Sequence, residues 1–503
     1  MAIQRLIALA IAPGLVACLG CADPGASVEG ADGTAEGVRR VDGGSETSDA
    51  TAGAVGSDGG QPGTASSDAG SGSGDAGRGG IGTSGDAGTT AGNSDGGTGT
   101  ATRDGGSDAA TGRGDAGGST PPAAATAEDE GADCPTATLP EAAALPAIAK
   151  LPDPFKKLDG TRISTKAEWR CRRAEIKRLA EKFAYGTKLA RPASVTGTVS
   201  NTSISVNVTD NGKSATFSAA VSLPASGTGP YPAVVILGGF GADSATIKGE
   251  GVATINYDPF AVGKETGARS PKSGAYYSIA GSTSSTGLLV AWAWGVSRIL
   301  DVIEKSDGKI LKADAVGVTG CSRFGKGAFA IGVFDQRIAL TMPIESGSAG
   351  VPLWRGIPGE GAQSLSSAYG EQPWLGDAFG SFTSKPTSLP IDTHELVAMV
   401  APRGLFIMDN PHIANLGPRS AHVAALAGAE VYAALGARDN ITYHSDVQNG
   451  SHCAVRPEWT ALLKQNIQKF LKKAGSEPGV IKAASKAAGK LSDWTDWSAP
   501  MLN

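Results

Sequence analysis

Apolar segments alternate with helical patterns between residues 134 and 503, and this order predicts a mixed α/β domain. Residues 196–223 alternate small polar side chains with Val and Ile, which is typical of antiparallel edge strands. Helices are predicted over residues 287–304 and 458–471, the second with an apolar face. Buried strands are predicted where short apolar runs end in a loop, at residues 232–237, 315–319, 338–344 and 404–408. This alternation predicts a three-layer sandwich, with a mainly parallel sheet flanked by helices on both faces.

The segment before this domain has a different composition. Residues 23–133 contain no aromatic residue, no leucine and no lysine, and they consist mostly of Gly, Ala, Ser, Thr and Asp. Such a segment cannot bury enough apolar surface to offset the entropy lost on ordering, so we predict a disordered linker there. The folded domain is therefore assigned to residues 134–503, which hold every Trp, Tyr and Phe of the chain.

Charge and hydropathy argue against two classes of partner. Lys and Arg number 44 against 49 Asp and Glu, and the resulting net charge of −5 argues against a nucleic-acid partner. After the first 22 residues, no segment stays apolar for the roughly 18 or more residues that a membrane span needs.

Residues 1–22 are predicted to be a signal peptide, because residues 6–16 are mainly apolar, an arginine precedes them and small residues follow. The Leu-Val-Ala-Cys sequence that ends at Cys18 resembles a bacterial lipobox, which would place a lipid anchor on Cys18. Cys21 is a weaker candidate for the same role, and plain secretion is the alternative to both. Each alternative places the domain outside the cytoplasm, as an outer-membrane-anchored lipoprotein or a secreted protein, where disulfides persist.

One turn carries the pattern of a catalytic serine. Gly320, Ser322 and Gly325 follow a predicted strand and precede a helical pattern, which is the setting of a nucleophile elbow. The second glycine comes one residue later than in the common Gly-x-Ser-x-Gly pattern, and an ordinary strand-to-helix turn is the alternative. Far downstream, His452 lies in a predicted loop, so the chain order of serine, acid and histidine fits a serine hydrolase. The glycine-rich residues 238–241 are a candidate source of an oxyanion-binding N–H.

A triad needs an acid that orients the histidine, and two carboxylates are candidates. Asp409 follows the predicted strand at 404–408, and Glu345 follows the strand just after the nucleophile helix. The residue pattern does not choose between them, and either can instead cap a neighbouring backbone segment.

The four cysteines of the domain suggest two bridges. Cys321 directly precedes the candidate nucleophile and Cys453 directly follows the candidate base, so these two lie within disulfide range if the catalytic side chains meet. By elimination Cys134 pairs with Cys171. The alternative is four free thiols.

Several longer motifs resemble those of the glucuronoyl esterases, carbohydrate esterase family fifteen. The nucleophile motif spans residues 320–328, and the likeness continues through Glu345-Ser346-Gly347, residues 361–364 and 369–371, and the Met-Val-Ala-Pro-Arg-Gly sequence at 399–404. The resemblance covers residues 134 to about 471 and no part of the linker. It implies an α/β-hydrolase fold, with the disordered linker preceding the domain.

Carried onto this sequence, the resemblance implies a role for eight residues. Ser322 is implied as nucleophile, His452 as base and Glu345 as the orienting acid, with Arg323 stabilising the oxyanion. The positions that match uronate-binding residues of the family are Lys326, Gln363 and Glu371. Many relatives have a tryptophan where this chain has Asn415, so hydrogen bonding is kept there while stacking area is lost.

The function implied is that of a 4-O-methyl-glucuronoyl methylesterase, which cleaves esters between glucuronic acid side chains of xylan and alcohols, including lignin alcohols. The expected partner is therefore a glucuronoxylan or lignin–carbohydrate ester, and we expect a monomer. No metal or organic cofactor is implied, and the five histidines show no metal-ligand spacing. Two other hypotheses are a different carbohydrate ester hydrolase, such as a deacetylase, and a non-catalytic polysaccharide-binding protein at the cell surface.

Overall fold

The computed structural model describes residues 128, 131, 133–475 and 477–503. The predicted signal peptide, the candidate anchor positions Cys18 and Cys21, and nearly all of the predicted linker lie outside the described residues. Within those ranges, no helix is both long and apolar enough to cross a membrane.

A single twisted sheet forms the centre of the domain. Its ten described strands are β1 (Ser194–Val199), β2 (Ser203–Asp210), β3 (Lys213–Ser222), β4 (Tyr231–Leu237), β5 (Ala253–Tyr257), β6 (Leu311–Cys321), β7 (Leu340–Ile344), β8 (Gly404–Met408), β9 (Ile441–His444) and β10 (Ile481–Lys482). They lie in the order β1-β2-β3-β5-β4-β6-β7-β8-β9-β10. Neighbouring strands from β1 to β5 in this order are antiparallel, and neighbouring strands from β5 to β10 are parallel.

Helices connect the parallel strands, as a parallel sheet requires. The described α-helices are α1 (Lys166–Ala180), α2 (Ser244–Gly249), α3 (Ala275–Ala280), α4 (Leu288–Lys305), α5 (Arg323–Phe334), α6 (Leu365–Glu371), α7 (Thr393–Val400), α8 (Pro418–Ala434) and α9 (Pro457–Asn466). The helix predicted over residues 458–471 is thus α9 followed by one π-helical turn, Ile467–Leu471.

The two faces of the sheet bury separate apolar cores. Successive side chains of a strand point to opposite faces, and in β4 Val234 and Val235 belong to different clusters of buried residues. Helices α2 and α9 cover the face of Val234, through residues such as Ile247 and Leu463. Helices α1, α4, α5, α7 and α8 cover the opposite face. The predicted three-layer α/β sandwich is confirmed.

The topology gathers the candidate catalytic residues at one edge of the sheet. Ser322 directly follows β6, Glu345 follows β7 and Asp409 follows β8, and these three strands are parallel neighbours. Loops that leave the carboxyl ends of adjacent parallel strands meet above the same edge. His452 lies in the loop between β9 and α9, so a separate segment of the chain carries it to this edge.

The start of the domain is attached to its body at two points. Cys134 and Cys171 of α1 form a disulfide with a Cα–Cα distance of 5.3 Å. Upstream of it, Glu128 is only 4% exposed and its carboxylate forms ion pairs with Lys188, Arg298 and Arg337. Glu128 lies before the domain boundary that composition placed at residue 134, so the folded body includes at least one residue from the predicted linker.

Candidate active site

Ser322 occupies a sharp turn between β6 and α5. Its φ of 58° lies in the left-handed region, which non-glycine residues adopt only where the surrounding structure enforces it. A Cβ at Gly320 would lie 2.2 Å from the carbonyl oxygen of Phe324, and one at Gly325 would lie 2.4 Å from that of Ile344. Both glycines are therefore required by close backbone contacts. Gly325 serves the elbow one position later than the common pattern because the contact is to Ile344 of the neighbouring strand.

Glu345 and His452 are joined directly. The imidazole Nδ1 of His452 lies 2.6 Å from Oε2 of Glu345, and the same oxygen accepts the backbone N–H of Cys453 at 2.8 Å. The other oxygen accepts the side-chain amide of Asn410 at 3.2 Å. Glu345 is fully buried, so these donors replace the water that a carboxylate would otherwise bind.

Asp409 has a different environment. It is 3% exposed, its Oδ1 accepts the backbone N–H of Asn410, and its own N–H donates to the carbonyl of His444. Burial raises the pKa of Asp409 to about 7, and the nearby charge of Glu345 adds to the rise. Of the two candidate acids, the structure places Glu345 against His452.

A disulfide ties the serine turn to the histidine loop. Cys321 and Cys453 are bonded, with Cα atoms 5.7 Å apart, so both disulfides expected from the sequence are present. The sulfurs lie with the ligand atoms of Glu345 and His452 within 4.8 Å of one another. That group resembles a metal-ligand set, but both sulfurs are already in the disulfide and offer no thiolate.

Ser322 and His452 are neighbours through this bridge, since each is adjacent to one of its cysteines. Within the described part of the chain, no hydrogen bond joins the serine hydroxyl to the imidazole. Catalytic hydrogen bonds are often long in enzymes without substrate and tighten in the substrate complex.

Glu265, which carried no signal in the sequence, fixes Arg323 beside the serine. Arg323 Nη1 lies 2.6 Å from Glu265 Oε2, and Glu265 Oε1 accepts the indole N–H of Trp374 at 2.5 Å. The guanidinium lies 6.0 Å from the centre of the Trp374 ring. Glu265, whose side chain is 6% exposed, thus bridges the arginine next to Ser322 and the indole of Trp374.

Lys326 lies one turn further along α5 and is buried. Its Nζ donates to the carbonyl of Ser346 at 2.6 Å and lies 4.9 Å from the centre of the Trp374 ring. Burial lowers the pKa of Lys326 to about 8, although the carboxylate of Glu371 favours the charged form. This amine therefore changes charge near pH 8, well below the range of an exposed lysine.

The remaining predicted sugar-binding residues form a short polar row. Gln363 Nε2 donates to Glu371 Oε2 at 2.8 Å, and the backbone N–H of Gln363 donates to the carbonyl of Asn415 at 3.0 Å. Glu371 and Asn415 are exposed and Gln363 is half-buried. The side chains in this row present carboxylate and amide groups, which suit sugar hydroxyls.

An open aromatic groove of about 500 Å³ lies on another side of the elbow. Phe240, Phe260 and Phe324 line it, and Phe240 stacks on Phe324 with ring centres 6.2 Å apart. Phe240 is 59% exposed, which is unusual for so large an apolar side chain. Its carbonyl accepts the N–H of Cys321, so the groove directly adjoins the nucleophile turn.

Sequence patterns missed three residues of this site: Glu265, Asn410, and Arg456, whose Nη2 lies 3.5 Å from Oε1 of Glu345. All three lie outside periodic segments, and each is defined by partners that are distant in the chain. The only available sequence signal was the position of Asn410 directly after the strand end that carries Asp409.

A serine on a strand-to-helix elbow, and a histidine bound to a buried acid at the same edge of a parallel sheet, define a serine hydrolase of the α/β type. The fungal glucuronyl esterase family matches residues 206–436. A 4-O-methyl-glucuronoyl methylesterase of Hypocrea jecorina is 37% identical over 378 residues, which cover 74% of this chain and 80% of the relative. The chain belongs to the glucuronoyl esterase family.

Solved structures agree with this assignment. The catalytic domain of a glucuronoyl esterase from Hypocrea jecorina aligns with a TM-score of 0.67 and 36% identity, covering 73% of this chain and all of that one. A serine-to-alanine mutant of the Sporotrichum thermophile enzyme aligns with a TM-score of 0.66 and 36% identity, over 71% of this chain and 97% of that chain. The mutant was solved in complex with methyl 4-O-methyl-β-D-glucopyranuronate.

Proposed function

We propose that this protein is a serine esterase of the 4-O-methyl-glucuronoyl methylesterase type, which cleaves esters between glucuronic acid and an alcohol. The observation that carries the proposal is the 2.6 Å contact between His452 Nδ1 and Glu345, at the sheet edge where Ser322 occupies the elbow. The activity named for the relatives and the family membership of the chain support the same conclusion.

The reaction follows from the roles of three groups. Because Nδ1–H of His452 donates to Glu345, Nε2 is the nitrogen left to accept the proton of Ser322. The serine oxygen attacks the ester carbonyl, His452 returns the proton to the departing alcohol, and a glucuronoyl ester remains on Ser322. Water activated by His452 then attacks this ester, which releases glucuronic acid and restores the serine.

Charge that develops on the carbonyl oxygen needs prearranged donors. The guanidinium of Arg323 is held by Glu265 next to the nucleophile, and we assign it to the oxyanion. The backbone N–H of Arg323, at the start of α5, and the glycine-rich loop 238–241 are the candidate backbone donors.

We assign the sugar to the side of the elbow that carries Lys326, Gln363 and Glu371. The ester substrate is uncharged at its carboxyl group, so these residues are proposed to bind hydroxyl groups in the substrate complex. The acid product carries a negative charge, which Lys326 would face after the alcohol has left. Asn415 lies at the end of this row, and its amide takes the place of the tryptophan ring that many relatives have at this position.

A substrate panel tests the proposal. Purified protein should hydrolyse methyl and benzyl esters of 4-O-methyl-glucuronic acid, and it should leave acetylated xylan intact. Release of acetate with no attack on the glucuronate esters would instead identify a deacetylase. Binding of glucuronoxylan without turnover of either substrate would identify a polysaccharide-binding protein and overturn the esterase proposal.

We also propose that the domain works outside the cytoplasm, attached through a lipid on Cys18. Two disulfides in the domain fit an oxidising compartment, and the leader sequence supports export. Labelling of cells with a fatty-acid analogue should mark the native protein and not a Cys18→Ala variant. An unlabelled native protein in the medium would favour secretion over anchoring.

A further inference from the structure

Arg456 lies four residues after His452, and the reaction described above does not use it. It is 4% exposed and precedes α9, whose Trp459 ring lies 5.3 Å from the guanidinium carbon. A buried guanidinium is costly unless its donors are used and a negative charge is close. The groups that hydrogen-bond or pair with the guanidinium therefore indicate the role of Arg456.

These partners are the carboxylate of Glu345 and the turn that precedes His452. One terminal nitrogen, Nη2, lies 3.5 Å from Oε1 of Glu345 and donates to the backbone carbonyl of Ser451. The other, Nη1, donates to the side-chain oxygen of Asn449 at 3.2 Å. Asn449 Oδ1 also accepts the N–H of Ser451, so the arginine binds a turn that has its own internal hydrogen bond.

We propose that Arg456 is a positioning residue for the triad: it holds the buried carboxylate of Glu345 and the loop carrying His452 in one fixed arrangement. Glu345 provides one oxygen to the histidine and the other to Asn410 and Arg456. The turn at residues 449–451 immediately precedes the histidine, so its hydrogen bonds to the guanidinium restrict the imidazole. The inference rests on the proposed esterase function.

Arg456 acts on the Glu345–His452 pair through its charge, which lies 3.5 Å from Oε1 of Glu345, and on the turn before His452 through hydrogen bonds. Removing a nearby cation makes an acid–base pair take up a proton at higher pH. Other charged or titratable groups near these residues are Asp409 after β8, Glu458 of α9, Lys326 on α5, Arg323 beside Ser322, and His412, whose imidazole bonds to the carbonyl of Val447. Variants at position 456 leave these side chains in place. Among them, backbone hydrogen bonds and, to a smaller extent, the charge of Arg456 lower the pKa of Glu458.

Two variants separate charge from hydrogen bonding. Arg456→Gln removes the cation, and we expect kcat to fall at least tenfold and the acidic limb of kcat/KM to move up by roughly one pH unit. Arg456→Lys keeps a cation, and we expect a lower kcat with the acidic limb where it is in the native enzyme. The methyl ester of glucuronic acid suits the profile because it has no titratable group.

Arg172 of α1 supplies the matched control. It is as deeply buried and bonds Glu395 of α7 at 2.9 Å, in the core on the opposite face of the sheet. Arg172→Gln should lower the melting temperature without moving the acidic limb. An unmoved limb in Arg456→Gln, or an equal shift in the Arg172 control, would overturn the proposal.

A nuclear magnetic resonance titration of His452 gives a readout without substrate. The protonation midpoint of this imidazole should rise in Arg456→Gln and stay near the native value in Arg456→Lys. If Arg456→Gln does not fold, a displaced midpoint in the lysine variant contradicts the proposal and an unchanged midpoint with reduced kcat supports it. Absence of ester hydrolysis by the native protein would overturn the proposed function alone, because the titration does not depend on turnover.

Discussion

At the scale of single residues, backbone strain marks the site. Five described non-glycine residues have a positive φ, and three of them are Ser322, Glu345 and Cys453. Such conformations cost on the order of 1–3 kcal/mol each and persist only where the surrounding structure enforces them. Ser322, Glu345 and Cys453 are therefore held by their packing and by the disulfide rather than by local backbone preference.

The identity of the triad acid gives the first prediction. Glu345→Ala should reduce kcat by at least a hundredfold, because His452 loses the carboxylate that fixes its tautomer. Asp409→Ala should have a much smaller effect, because Asp409 bonds the backbone groups of Asn410 and His444 and the Tyr443 hydroxyl, and not the imidazole of His452. Kinetics of both variants on methyl glucuronate check this ranking, and the opposite order would make Asp409 the acid.

Lys326 gives a pH prediction. Because burial lowers its pKa to about 8, kcat/KM for a neutral glucuronate ester should fall as pH rises through about 8, once spontaneous hydrolysis is subtracted. The same shift makes folding stability rise between about pH 8 and the higher pKa of the unfolded chain. Lys326→Met should have lower kcat/KM and lack the alkaline inflection; a native-like inflection in that variant would assign it to another group.

At the scale of elements, one bridge couples the turn that carries Ser322 to the loop that carries His452. The sequence separation is 132 residues for Cys321–Cys453 and 37 for Cys134–Cys171. Chain-entropy arguments give stabilisations of about 5 and about 4 kcal/mol respectively. The two bridges should therefore contribute similarly to stability, and only the first should affect catalysis directly.

Paired serine variants test this separation. Cys321→Ser with Cys453→Ser should lower both the melting temperature and kcat, because the histidine loop loses its link to the serine turn. Cys134→Ser with Cys171→Ser should lower the melting temperature while kcat stays near native at 20 °C or so. Equal losses of kcat in the two variants would show that the catalytic bridge acts only through global stability.

The elements that sequence predicts best are those with long apolar runs. Strand β8 coincides with the predicted residues 404–408, and α4 lies within one residue of its prediction. The sequence also singled out the elbow, because steric contacts make Gly320 and Gly325 necessary there. It did not identify β5, β9, α7 or α8.

Tertiary partners explain what the sequence could not predict. Residue patterns left Glu345 and Asp409 equal, since both follow a strand, and only the resemblance to a known family separated them. Glu265 and Arg456 lie in irregular segments, and their partners Arg323 and Glu345 are distant in the chain. Charged residues of this kind have no period and acquire a role only when the fold brings their partners together.

At the scale of the whole molecule, one acidic residue fastens the start of the domain. Glu128 bonds Lys188 Nζ at 2.8 Å and Arg337 at 3.3 Å, and it also pairs with Arg298. Composition could not distinguish this carboxylate from other acidic residues of the predicted linker. Loss of one partner from a buried charge cluster costs about 3–5 kcal/mol, because the remaining charges stay buried without compensation.

Glu128→Gln should therefore lower the melting temperature substantially while leaving kcat on glucuronate esters unchanged. Glu141→Gln is a suitable control, since Glu141 pairs with Lys182 at 3.0 Å but its side chain is 82% exposed. Calorimetry of the two variants measures the difference. An equal, small effect at both positions would show that Glu128 does not fasten the domain.

Hydrolysis of benzyl glucuronate in H₂¹⁸O tests the serine esterase mechanism most directly. Native protein should transfer one heavy oxygen to the carboxyl group of glucuronic acid and none to benzyl alcohol, because Ser322 attacks the acyl carbon and water then frees the acid. Ser322→Ala, correctly folded, should release neither product above background. Label in the alcohol, or native rates in the Ser322→Ala variant, would contradict this mechanism.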